Sequence, residues 1–118
     1  MSLISLLQEI FQEGISKANV QAKGTLDKSC LYRSFVVEIP DANNFRYGFI
    51  YTENGIKEYD GYATQPTVKM IMKYSTFLDI MNHKLSVQDA VYYGFALLDG
   101  ENPLLHMNIL MLVFSSMV

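Results

Sequence analysis

Leu3, Leu6, Leu7, Ile10, Phe11 and Gly14 recur at helical spacing, while Ser5, Gln8, Glu9, Gln12, Glu13 and Ser16 take the other face. That pattern predicts an amphipathic helix with one side to pack. Gly14 weakens it slightly, and Gly24 suits its stop. The period then changes. Leu31 to Ile39 predicts a strand, ended by the turn-rich Pro40-Asp41-Ala42-Asn43-Asn44. Phe45 to Thr52 predicts the next strand and puts Phe45, Tyr47, Phe49 and Tyr51 on one face. Asn54-Gly55 fits a type I′ turn, because both residues accept positive φ. Ile56 to Asp60 is the returning strand and Gly61 to Pro66 a loop.

In Thr67 to Lys73, Val68, Met70 and Met72 fall on one side and Lys69 and Lys73 on the other, with Ile71 between the lysines, which predicts a half-buried strand. Ser75 is placed to cap a short helix through Phe77, Leu78, Ile80 and Met81. Ser86-Val87-Gln88-Asp89 fits a serine-x-x-acid start for a second short helix, Val87 to Tyr93. Gly94 to Asp99 reads as one more strand, closed by Gly100. The sum is about five strands and four helices, an antiparallel hairpin in the middle and helices at both ends. This is α+β and not alternating α/β.

The last sixteen residues, Pro103 to Val118, differ from everything before them. Pro103 fits the first helical position, with Asn102 as its cap. Leu105, Met107, Ile109, Leu110, Val113 and Phe114 point in every direction around a helix, and His106, Asn108, Ser115 and Ser116 do not gather into one polar face. A helix apolar all round is buried or spans a membrane, and this one is shorter than the roughly 20 residues a span takes. It therefore calls for a cover: a bound apolar ligand, a second subunit or a membrane surface.

Composition narrows the classes. The 118 residues, half of them hydrophobic, suit a single domain over 1–118 with one core. The net charge of −3 and the absence of a basic stripe exclude nucleic acid as a partner. The single Cys30 excludes an internal disulfide framework and fits a reducing compartment. The first lysine is Lys17, and Glu9 and Glu13 interrupt the apolar residues before it, so the start does not read as a secretion signal and points to the cytoplasm.

Val68-Lys-Met-Ile-Met72, Phe77-Leu-Asp-Ile-Met81, His83-Lys84-Leu85, Ala90-Val-Tyr-Tyr-Gly94 and Phe95-Ala-Leu-Leu-Asp-Gly100 follow one another over roughly residues 66 to 115. In that order they resemble the sterol-carrier-protein lipid-transfer domain family. His83 departs from the pattern, since a glycine usually precedes that lysine. The resemblance implies a five-stranded, mostly antiparallel curved sheet with helices on one face, an apolar tunnel between them, and a C-terminal helix that helps close it. It also implies non-catalytic carriage of a fatty acid, acyl chain or sterol-like ligand. The residues this assigns to the ligand are Met70, Met72, Phe77, Met81, Phe95, Leu97, Met107, Leu110, Met111 and Phe114.

An empty apolar cavity of about 300 Å³, the low end for ligand pockets, would cost about 7 kcal/mol at about 24 cal/mol per Å³. That is a large part of the 5–15 kcal/mol or so that holds a domain together. A chain of about sixteen carbons gains on the order of 10 kcal/mol gross at about 0.8 kcal/mol per buried methylene, before ordering costs. Met70, Met72, Met81, Met107 and Met111 supply side chains that repack around varied shapes, or that fill gaps in an ordinary core.

No catalytic chemistry is legible. His83 and His106 are the only histidines and lack metal-ligand spacing, so neither a metal nor a cofactor is expected. No G-x-S-x-G, Walker or dinucleotide motif occurs. His106 reads as a satisfied core or helix-edge histidine. Tyr47, Tyr51, Tyr59, Tyr62, Tyr92 and Tyr93 read as sheet-face packing with wet hydroxyls, or as a polar mouth for a headgroup. Arg33 reads as a rim cation, paired with Glu58 or a ligand carboxylate.

The partner expected is an apolar lipid, with transient membrane contact in passing. The competing reading is an interaction protein whose C-terminal helix buries in a homodimer or other interface and leaves no tunnel. An accessory domain to an enzyme ranks third.

Overall fold

The computed structural model describes residues 2–22, 28–60, 66–104 and 106–117. Gly24, Gly61, Tyr62, Leu105 and Val118 lie outside the described residues. Among the described residues, four α-helices and five strands succeed one another as α1 (Leu3–Ala22), a 3-10 turn (Lys28–Cys30), β1 (Ser34–Ile39), β2 (Phe45–Thr52), β3 (Gly55–Tyr59), β4 (Val68–Met72), α2 (Tyr74–Met81), α3 (Val87–Tyr92), β5 (Ala96–Gly100) and α4 (Met107–Met117). The sheet is open, in the order β3-β2-β1-β4-β5. β1 and β4 run parallel and the other three pairings are antiparallel.

Strand alternation separates the two faces. Phe35, Val37 and Ile39 of β1 stand in register with Phe49, Tyr47 and Phe45 of β2, and Phe35 and Val37 with Val68 and Met70 of β4. These residues form one buried cluster with Leu7, Phe11, Ile15 and Ala18 of α1, Phe77 and Ile80 of α2, Val87 and Ala90 of α3, and Ile109, Leu110, Val113 and Phe114 of α4. All four helices therefore cover the same face. Phe11 is the hub: its ring lies 5.0–5.9 Å from those of Tyr47, Phe45, Phe114 and Phe77. The far face carries a charge group in which Glu38 meets Arg46 at 3.1 Å and Lys69 at 4.0 Å.

The C-terminal helix corrects the sequence reading twice. It begins at Met107 and not at Pro103. Asn102 has φ +42°, whereas an N-cap residue takes an extended backbone, so Asn102 cannot cap there. His106 is buried, and its Nδ1 lies 3.0 Å from the carbonyl oxygens of both Glu101 and Asn102, which ties down the approach to the helix. Second, although the four polar residues do not form one face, two of them share a narrow exposed stripe. Asn108 and Ser115 are the exposed residues of α4 and are seven positions apart, about 20° on the helical wheel, with Met111 and Leu112 half-buried between them. Ser116 turns inward and satisfies itself by donating to the Leu112 carbonyl at 2.7 Å. The chain's own elements thus cover α4 on all but one narrow stripe. α1 comes very close: a Cβ added at Gly14 would stand 2.3 Å from Met117 Cγ and 3.3 Å from the Val113 carbonyl oxygen.

Smaller corrections have local causes. Positive φ in the β2–β3 turn falls on Gly55, at +105°, and not on Asn54, so the turn is not type I′. The first strand starts at Ser34, after Tyr32 takes φ +63°. α2 begins at Tyr74, and its first turn is capped from a distance, by Asp41 Oδ1 accepting from the Tyr74 N–H at 2.8 Å. Ser75 is therefore not the cap.

Candidate functional site

α2 and α3 stop in the same way. At the end of α2 the His83 N–H donates to the Ile80 carbonyl and the Lys84 N–H to the Asp79 carbonyl, with His83 at φ +60°. At the end of α3 the Gly94 N–H donates to Val91 and the Phe95 N–H to Ala90, with Gly94 at φ +80°. Both are Schellman motifs, whose left-handed position belongs by preference to glycine. The turn after α2 brings the chain to Ser86, whose Oγ accepts from the Asp89 N–H at 3.0 Å and starts α3 as its sequence predicts.

The turn after α2, the start of α3 and α4 enclose an apolar groove of about 330 Å³. Ile80, Leu85, Val87, Met111 and Phe114 supply its apolar lining, and His83, Ser86, Gln88 and Ser115 its polar groups. No lining residue is acidic. Ser115 already donates to the Leu112 carbonyl at 3.0 Å, while the Ser86 oxygen accepts from Asp89 and leaves its O–H free to donate.

The ten residues expected at the ligand do not line one space. Met111 and Phe114 face this groove. Met70, Phe77 and Leu110 are fully buried in the packed cluster around Phe11, Met107 is buried, and Met81 is half-buried against the cluster. Met72, Phe95 and Leu97 line a second depression of about 410 Å³ with Pro40, Asp41, Ile71, Lys73 and Gly94. Phe95 is 56% exposed and Leu97 60% exposed, so the sequence placed them wrongly on the interior surface. The cause is one residue of strand phase. Met72 pairs with Ala96 and Met70 with Leu98 on the helix side, while Leu97 pairs with Ile71 on the far face.

Other expectations resolve locally. Tyr47 and Tyr51 are buried, whereas Tyr59, Tyr92 and Tyr93 are exposed, so the tyrosines do not make one mouth. The Tyr47 hydroxyl has no hydrogen-bond partner among the described residues. Burial, and secondly the Glu58 carboxylate, push its pKa well above the usual tyrosine value. Arg33 meets Glu101 at 3.8 Å on the surface, and Glu58 instead accepts from Gln12 Nε2. Among the described residues no group of His, Cys, Asp and Glu is placed to hold a metal, and no helix is long and apolar enough to cross a membrane.

Sequence reasoning missed Ile80, Leu85 and Val87 of the groove lining and all four polar groups. The serine-x-x-acid signal at Ser86 was the available pointer, because it fixes where α3 turns back across α4.

No protein-family model matches the chain, and no curated protein matches it. Solved structures do. Palmitated sterol carrier protein 2-like 2 of Aedes aegypti superposes with a TM-score of 0.59 at 23% identity, over 88% of this chain and 92% of that one. The apo form of sterol carrier protein 2 of Yarrowia lipolytica gives 0.59 at 9% identity, over 95% and 89%. A double mutant of the sec-alkyl sulfatase PisA1 gives 0.55 at 16% identity, but this chain spans only 14% of its length. The chain has the α+β fold of sterol carrier protein 2.

Proposed function

We propose that the protein binds the apolar chain of a lipid, without converting it, in the groove between α4 and the α2–α3 turns. The observation that carries this reading is the placement of Met111 and Phe114. The segment that the sequence marked as needing a cover leaves these two side chains facing an apolar space of about 330 Å³, within the usual range for ligand sites. The fold supports it, since a protein of the same fold was solved as a palmitated form. Five apolar residues line the space, and its polar groups are neutral or basic, which suits an amphiphile. Extraction of the purified protein with organic solvent, then mass spectrometry, tests the reading. One lipid per chain is the expected result. A protein that carries none and takes up neither fatty acid nor sterol overturns it.

A second reading keeps an interaction role, but moves it. α4 is covered by its own chain, whereas Tyr92, Tyr93, Phe95 and Leu97 are exposed beside the second depression. A homodimer formed there would leave the α4 groove unaffected, and light scattering at micromolar concentration separates it from a monomeric carrier.

A further inference from the structure

The two edges of the sheet are finished differently. At the β3 edge, Asn19 of α1 takes up both outward backbone groups of Ile56. The β5 edge has no such cover. The Glu101 N–H donates to the Thr67 carbonyl at 2.9 Å, one step beyond the Val68–Gly100 pair. In an antiparallel ladder, residue pairs that exchange hydrogen bonds alternate with pairs that do not. The Thr67–Glu101 contact therefore sets the phase. Leu97 and Asp99 turn their backbone groups toward β4, and Ala96, Leu98 and Gly100 turn theirs away. Among the described residues, nothing accepts from these three N–H groups or donates to these three carbonyls.

Exposed edges are normally guarded by lysine, proline, a bulge or a covering element. β5 carries one charge, Asp99, and neither lysine nor proline, and its pairing with β4 is unbroken from Ala96 to Gly100. Phe95 and Leu97 are exposed, and so are Tyr92 and Tyr93 where the chain enters the strand. At about 200 Å² per ring, the exposed parts of Tyr92, Tyr93 and Phe95 come to about 400 Å². Leu97 and the free strand edge bring the patch close to the roughly 600 Å² a side of the smallest specific interfaces, which suits a reversible association.

The outward residues are evenly spaced about Leu98. A strand of the same sequence running antiparallel therefore matches them one for one. Leu98 exchanges hydrogen bonds with Leu98 of the second copy, and Ala96 with Gly100, so every outward donor meets an acceptor. In that register Leu97 stands directly opposite Asp99 of the second copy. Each Asp99 also keeps Lys69 of its own chain as its register partner on β4.

We propose that two copies of the chain pair antiparallel through β5, with the two-fold axis at Leu98, and join their five-stranded sheets into one. This gives the interaction reading above its surface and its register. It does not depend on what the α4 groove holds, since no β5 residue lines that groove.

Light scattering over a micromolar concentration series is the first test, with hydrogen exchange of the Leu98 amide followed across the same series. The wild type is expected to pass from monomer to dimer, and the Leu98 amide to exchange more slowly as the dimer forms. Two substitutions at exposed Leu97 then read the register. Leu97→Asp sets carboxylates opposite each other and is expected to raise the dimer dissociation constant by about tenfold or more. Leu97→Lys sets a lysine opposite Asp99 of the second copy and is expected to keep the dimer. Circular dichroism should show both variants folded, and their lipid uptake should match the wild type. A wild type that stays monomeric throughout overturns the proposal. So does a dimer that both substitutions weaken equally, or one in which the Leu98 amide exchanges as fast as in the monomer.

Discussion

The side-chain amide of Asn19 closes both free backbone bonds of Ile56. Its Nδ2 donates to the Ile56 carbonyl and its Oδ1 accepts from the Ile56 N–H, each at 2.7 Å. β3 is an edge strand, and Ile56 is one of its residues whose N–H and C=O point away from β2. One residue of α1 thus stands in for a sixth strand and blunts an edge that would otherwise invite pairing. Asn19→Ala is expected to destabilise the fold by about 1–3 kcal/mol and to raise aggregation on warming. Urea unfolding and light scattering during a thermal ramp check both. Unchanged stability would mean that water replaces the amide at no cost.

Tyr47 gives a pH dependence with a definite sign. Its folded pKa is raised by burial, and secondarily by Glu58, above the unfolded value of about 10. The neutral phenol is favoured by the fold, so this contribution is fully present below about pH 10 and is lost as pH rises beyond it, where the unfolded chain releases the proton first. Tyr47→Phe is expected to flatten that alkaline loss. At pH 7 it should be neutral or stabilising, because the hydroxyl it removes has no partner among the described residues. Unfolding at pH 7 and at pH 10.5 in both proteins measures the difference.

Gly14 is a packing residue more than a weak point in α1. Alanine there would gain about 1 kcal/mol of helix propensity, yet its methyl group would meet Met117 and the Val113 carbonyl. Overpacking costs about 1–3 kcal/mol, so Gly14→Ala is expected to lower stability. Gly14→Ala/Met117→Ala should recover part of the loss, since the nearer obstacle is gone. A stabilised single variant would show that α1 and α4 can move apart freely.

Gly100 ends β5 at φ +130°, and a Cβ there would stand 2.1 Å from the Thr67 carbonyl oxygen. That oxygen accepts from the Glu101 N–H at 2.9 Å. Gly100→Ala is therefore expected to be among the most disruptive single changes, unfolding the chain or costing more than about 3 kcal/mol through strain and lost pairing. Circular dichroism and a urea titration would register it.

Local signals were legible where the sequence itself settled the geometry. β2 runs from Phe45 to Thr52 as its alternation predicts, and Ser86 starts α3 as its spacing predicts. The errors lie where a distant group decides. Asp41 caps α2 from the β1–β2 turn, and His106 holds the approach to α4 through the carbonyls of Glu101 and Asn102. Met111 and Phe114, expected to act together because one helix carries both, line the same groove. Phe95 and Leu97 were misplaced because apolar residues occur on both faces of β4 and β5, so composition could not fix strand phase. Only the register shows that Leu97 opposes Ile71 on the far side.

Met111 carries the central claim, and native mass spectrometry of the chain with added dodecanoate reads it directly. The wild type and Lys17→Ala, a change on α1 away from the groove, are expected to take up one molecule each. Met111→Asp puts a carboxylate into the apolar lining and should lose uptake by tenfold or more, with circular dichroism confirming that the variant is folded. Equal uptake by all three proteins, or none by the wild type, would contradict a lipid-binding groove between α4 and the α2–α3 turns.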